Sequence, residues 1–160
     1  MSIRKFPAAK RASMKPSRAR ISSRGMKGSA PTVEQKRFHA MLVAEIGCIA
    51  SYKDGFFDGM CSIHHIDGRV KPNAHWLVLP LSAGNHQDGT GAPRRIAVHP
   101  WKTRFETKYG KQIDLLRECI VILIDRGCNV PEGALLAAGM DPKNNPASVG
   151  ADPGRFTATI

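Results

Sequence analysis

The sequence predicts a small α+β domain, and three observations carry that prediction. Apolar residues recur at helical spacing near both ends of the central region, two short runs in its middle are rich in residues that favour a pleated surface, and Gly- and Asp-containing turns separate them. At 160 residues the chain has room for one modest core rather than two.

Taken in order, regular structure is expected to begin at Thr32. There TVEQ pairs Thr32 with Gln35 as a capping box, and Phe38, Met41, Leu42 and Ile46 follow at helical spacing. Gly47 stops that helix. Between Cys48 and Gly59 the segment YKDGFFDG reads as a polar connection with turns at Asp54-Gly55 and Asp58-Gly59. A first strand runs roughly from Met60 to Ile66, the loop DGRVKPN follows, and HWLVLPL returns as its antiparallel partner. SAGNHQDG then forms a short helix capped by Ser82 and ended by the Gly-rich run DGTGAP. HPWKTRFETKYG is a helix opened by Pro100 and closed by Gly110, with Trp101, Phe105 and Tyr109 on one side. The next segment, KQIDLLRECIVILIDRG, is the most apolar helix, its buried stripe formed by Leu115, Leu116, Cys119, Ile120 and Leu123 and its stop by Gly127. PEGALLAAG adds a last short helix. No internal repeat is visible.

The charge is placed unevenly. Residues 1–30 carry Arg4, Lys5, Lys10, Arg11, Lys15, Arg18, Arg20, Arg24 and Lys27 with no Asp or Glu, whereas from residue 31 onward fifteen basic residues face thirteen acidic ones. The basicity therefore belongs to a tail too poor in large apolar residues to offset its ordering entropy, and the tail is expected to be disordered until it binds a polyanion. Nucleic acid fits better than a membrane, because no stretch resembles a transmembrane span and the tail has no apolar face for lipid. A mitochondrial presequence is the competing account of an acid-free, Arg- and Ser-rich N-terminus. Pro7, Pro16 and the run from Gly25 to Pro31 argue against the amphipathic helix it needs. Cys48, Cys61, Cys119 and Cys128 show neither dense pairing nor a CxxC, which points to a reducing cytosol.

The segment SIHHIDG sets two histidines side by side on the first strand, where successive side chains point to opposite faces. One plain account is that one faces the core and the other water; the functional account is that one holds a metal while its neighbour moves a proton. Of the six histidines, five (His64, His65, His75, His86 and His99) fall within 36 consecutive residues, and neutral imidazole is a common metal ligand. No ligand pair has the CxxC or HxxxH spacing that identifies a site on its own.

The order of elements adds to this. A strand bearing HH, a loop, a returning strand and a helix bearing another His is similar to the layout of the ββα-metal, or HNH, nucleases. More narrowly, CSIHHIDGRVKPNAHWLVLPLSAGNHQDGTG, then IAVHP, then FETKYG, resembles the phage recombination-enhancement nuclease family called Ref, whose members cut DNA in a RecA-dependent manner. The resemblance covers about residues 47–112, and the acid-free basic tail resembles that family too. It implies an HNH-like ββα-metal core with additional packing helices, expected at 31–140; composition sets its limits, with the disordered basic tail at 1–30 before it and, where the chain turns to Pro, Asn, Gly and Ser after Asp141, a flexible C-terminal tail at 141–160. It implies His64, His86 and His99 as ligands of a divalent cation (zinc, magnesium or manganese) and His65 as the general base. Single-stranded and duplex DNA and a RecA filament are the implied partners, in the cytoplasm of a bacterial cell carrying a phage or prophage.

Many relatives hold a structural zinc on segments reading GCxxC and LCxx(C/H)H. Here these read GCIAS and LSAGNH, so Cys48 remains while Ser51, Ser82 and Asn85 occupy the other places, and no structural zinc is expected. Cys48 with Cys61 is the pair left to rescue such a site. His75 is a candidate to orient His65, to bind a second metal or to contact a phosphate, alongside a strand-edge role bonded to backbone. Arg69 and Lys71 in the interstrand loop are candidate DNA-backbone contacts, although a solvated turn also explains them. His39, on the polar side of the first helix, is read as uninvolved, and Trp76, Trp101, Phe105 and Tyr109 as core. The alternative to a nuclease is a basic DNA-binding accessory protein with a degenerate HNH scaffold, which the lost zinc ligands favour and the retained histidines oppose. RNA binding through the same tail is a third possibility.

Overall fold

The computed structural model describes residues 28–87 and 94–144. The nine basic tail positions, the run DGTGAP at 88–93 and most of the C-terminal segment lie outside the described residues.

Helix α1, Val33–Glu45, begins where the capping box places it: Gln35 N–H donates to Thr32 Oγ1 at 3.2 Å and Thr32 N–H to Gln35 Oε1 at 2.8 Å. Gly47 ends the turn with φ +67°, and a Cβ there would stand 2.6 Å from the Asp58 carbonyl oxygen that the Cys48 amide uses. Only glycine meets both conditions. Helix α2, Ile49–Lys53, interrupts what the sequence pattern presents as a connection. Its N-cap, Cys48, makes no side-chain capping bond, but Ile49, Ala50 and Ser51 are buried, so tertiary packing holds this single turn.

Strands β1, Cys61–His65, and β2, Val78–Ser82, pair antiparallel with Cys61 opposite Ser82 and His65 opposite Val78. The second strand starts three residues later than HWLVLPL suggests, because Trp76 and Leu77 donate backwards to the Asn73 carbonyl in a turn. Every residue of β2 is buried under α1, α2 and the later helix α5, Gln112–Asp125, which is why the strand reads as a continuous apolar run. On β1, by contrast, Ser62 is exposed and His64 buried.

Helix α3, Ala83–His86, follows β2 directly, and α4, Val98–Tyr109, follows the 88–93 segment. Inside α4 the backbone leaves helical geometry at His99 and Trp101. This kink breaks the phase that would group Trp101 with Phe105 and Tyr109: those two are buried with rings 5.0 Å apart, whereas Trp101 is 46% exposed and is not core. Helix α5 buries the expected stripe of Leu115, Leu116, Cys119, Ile120 and Leu123, and Gln112 with them. Helix α6, Glu132–Ala137, packs so closely that a Cβ at Gly133 would stand 2.6 Å from the Trp76 ring, which also meets Phe38. The α+β arrangement, a two-stranded antiparallel sheet followed by a helix, is that of a small ββα-type core with helices packed around it. Among the described residues, no helix is long and apolar enough to cross a membrane.

Candidate metal and catalytic centre

The alternation of β1 separates the paired histidines. His64 turns inward on the face it shares with Ser62, and His65 turns to the other. Across from His64, α3 delivers His86 from its last residue and the kinked start of α4 delivers His99, whose extended backbone bridges Gln87. The three rings lie 5.0 to 5.7 Å apart between centroids, and one ligand nitrogen of each falls within 4.8 Å of the others. His64 is buried, His86 half-buried and His99 exposed, so the cluster has a floor and an open rim. Among the described residues, no other group of three or more His, Cys, Asp or Glu side chains is close enough to share an ion.

Two of the three rings are oriented from behind. Gln112 Nε2 donates to Glu106 Oε1 at 2.9 Å, which fixes the amide so that Oε1 faces His64 Nε2 at 2.7 Å and accepts its proton. His64 Nδ1 is left for the cluster. Ser62 Oγ lies 2.7 Å from His86 Nδ1 and 3.4 Å from the Leu81 carbonyl; with the hydroxyl turned to that carbonyl, its oxygen accepts from Nδ1–H and His86 Nε2 is left free. Burial pushes His64 down to about 4, against the partly offsetting Gln112 bond and with help from the neighbouring imidazoles and Lys102; burial and the charges of His99 and Arg69 lower His86. Neutral rings with a bonded second nitrogen are the form in which histidine ligates metals.

On the opposite face, His65 Nε2 lies 3.0 Å from His75 Nδ1, and His75 Nε2 lies 2.8 Å from the Ser29 carbonyl. His39, expected to stand apart, is drawn in: its Nε2 donates to the His75 carbonyl at 2.7 Å and its ring sits edge-on to His65 at 6.3 Å. His65 is pushed down to about 4, first by burial and then by the charges of Arg69, His75, His39 and His64. Arg69 thus reaches electrostatically to both faces, while Lys71 is exposed and paired with Asp67 at 3.7 Å.

The model of the family described as recombination enhancement, RecA-dependent nuclease matches residues 31–124. The chain belongs to this family. The matched span includes all six histidines together with Glu106 and Gln112, so the family match and the two-faced histidine centre occupy the same part of the chain.

In the same nuclease, Cys48, Ser82 and Asn85 form a hydrogen-bonded knot. Asn85 Oδ1 accepts from Ser82 Oγ at 3.0 Å and from Cys48 Sγ at 3.5 Å, and Asn85 Nδ2 donates to the Ile96 carbonyl at 3.1 Å. Arg95 donates to Ser82 Oγ and, at 2.7 Å, to Asp58. Cys61 Sγ donates to the Asp58 carbonyl at 2.9 Å, and burial pushes its thiol up to about 12, so it stays protonated. The sequence marked the histidines but not Gln112 or Ser62. Gln112 had a signal, being a polar residue in phase with a buried apolar stripe, and Ser62 lies two residues from His64 on the same strand face.

Proposed function

We propose that this recombination nuclease is a metal-dependent DNA endonuclease of the HNH type, cutting DNA held in a RecA filament or D-loop in the cytoplasm of a bacterial host cell. The observation that carries the proposal is the convergence of His64, His86 and His99 from three elements with His65 across the strand from them. The donor set fits a divalent ion: three imidazoles, two of them backed by Gln112 and Ser62, around a rim open on the His99 side. Bound there, such an ion supplies a positive charge for the scissile phosphate and for the leaving 3′ oxygen.

The protein's own residues do the rest. His64, His86 and His99 hold the ion in place. His65, neutral at pH 7, takes the proton from the attacking water. An arriving phosphodiester brings negative charge beside it and so raises its proton affinity when substrate is bound. Arg69, whose charge acts on both His65 and His86, meets the backbone phosphate in this reading, and the products are 5′-phosphate and 3′-hydroxyl ends. The basic residues of the tail supply sequence-independent, salt-sensitive affinity.

The deciding experiment measures nicking and cutting of DNA with Mg²⁺, Mn²⁺ or Zn²⁺, with and without a RecA filament, for the wild type, His65→Ala and His86→Ala. Cutting that requires RecA and is lost in both variants is expected. DNA binding without cutting under every metal would overturn the proposal in favour of a non-catalytic accessory protein.

A further inference from the structure

We infer that His75 is a positioning residue for His65, and that the N-terminal arm sets the orientation of both rings through the Ser29 carbonyl; this rests on His65 being the base. A carbonyl oxygen accepts only, so the 2.8 Å contact to Ser29 places the proton of His75 on Nε2. In the neutral ring this leaves His75 Nδ1 as an acceptor, and the 3.0 Å contact to His65 therefore takes the proton of His65 Nε2. His65 Nδ1 then carries the lone pair offered to water. The His39 bond to the His75 carbonyl holds the far side of the same turn.

The arm is seated by shape as well. A Cβ at Gly28 would stand 2.5 Å from the Arg69 carbonyl oxygen, so the arm lies against the interstrand loop at a distance that only glycine permits. Ser29 is two residues beyond Lys27, the last of the nine basic tail positions. Capture of DNA by the tail and completion of the proton acceptor thus meet at one point of the chain.

Two measurements on the full-length protein test this. The first is the ¹⁵N signature of each imidazole in the metal-free chain: His65 is expected as the Nε2–H tautomer in the wild type and as a tautomer mixture in His75→Phe and Gly28→Val. Finding His65 as Nδ1–H in the wild type would overturn the inference. The second is the steady-state rate of cleavage over a range of DNA concentrations. His75→Phe should lose on the order of 10- to 100-fold in kcat with KM unchanged, as removal of a group that orients a reacting imidazole does. His75→Asn places an oxygen near the old Nδ1 position and should restore most of that loss. Wild-type kcat in His75→Phe, while His65→Ala is inactive, would refute the positioning role. Should His65→Ala itself cut normally, the base assignment falls instead, and the tautomer measurement still decides the relay.

Discussion

Replacing Gln112 with Met tests the centre without touching any of the three converging histidines. Met fills a similar volume, so α5 keeps its packing, but the acceptor 2.7 Å from His64 Nε2 is gone, and Glu106 is deprived of its 2.9 Å donor. His64 is 2% exposed, so water has little access to replace the missing partner. The stranded N–H costs about 1–3 kcal/mol of stability, and His64 becomes free to rotate or to take the other tautomer, which would turn Nδ1–H rather than its lone pair toward the cluster. Loss of such an orienting partner typically costs about 10- to 100-fold in metal affinity, or roughly 1.4 to 2.7 kcal/mol. Calorimetric titration of metal-free protein with Zn²⁺ and Mn²⁺ reads the affinity, and urea denaturation reads the stability separately. Glu106→Gln, which retains an acceptor for Gln112, should stay within a few-fold of wild type. A folded Gln112→Met protein with wild-type affinity for both ions would show that His64 is not oriented through Gln112.

Other outcomes follow from the same residues. His64 sits near 4 in the folded protein against an ordinary 6.5, so between those values the unfolded chain binds more protons, and metal-free stability is complete above about pH 6.5 and lost as pH falls toward 4. For His64 alone the loss from pH 7 to pH 5 is about 2 kcal/mol, read from urea midpoints, and a flat profile would contradict its buried neutral state. Gly133→Ala drives a methyl into the Trp76 ring at 2.6 Å and should cost about 1–3 kcal/mol by thermal denaturation; unchanged stability would mean that α6 shifts freely. Ser51 Oγ is buried without a partner among the described residues, so Ser51→Ala should be neutral or stabilising by up to about 1 kcal/mol, whereas a clear loss would reveal a hidden partner. Deleting residues 1–27 should flatten the dependence of duplex binding on salt, by about 0.9 in log–log slope for each phosphate that the tail no longer neutralises, and an unchanged slope would remove the tail from DNA binding.

Much of the fold was legible because local signals and tertiary structure agree. The Thr32 capping box and the stripe from Leu115 to Leu123 are short-range patterns that the core simply uses. Where they failed, packing overrode the local pattern. Helix α2 has no cap and only five residues, and nothing local distinguishes it from a loop. Trp101 looks phased with Phe105, but the kink at His99 and Trp101 resets the phase, and that same kink aims His99 at His64. The convergence of His64, His86 and His99 was expected from resemblance, since element order alone does not bring three rings together. The His39–His75 bond spans 36 residues and the His64–Gln112 bond 48, distances over which periodicity carries no information.

The paired histidines make chemical sense only because they sit on a strand. On one face of a helix, or after a bulge, both imidazoles would reach the same cluster, and His65 would be a fourth ligand with its lone pair committed to the ion. Strict alternation denies it that position. His64 falls among His86 and His99, and His65 falls among His75 and His39, with the backbone between the two groups. The two faces then specialise by their partners. Gln112 and Ser62 back the rings of His64 and His86, whereas His75 backs His65, and on the proposed reading the first pair leaves nitrogens for a cation and the second leaves Nδ1 for water. The charge of Arg69 lowers the proton affinity of one ring on each face, His65 and His86. On the proposed reading, the register of Cys61 opposite Ser82 through His65 opposite Val78 is a functional specification: a slip of one residue would exchange the faces of His64 and His65, and with them the proposed ligand and base.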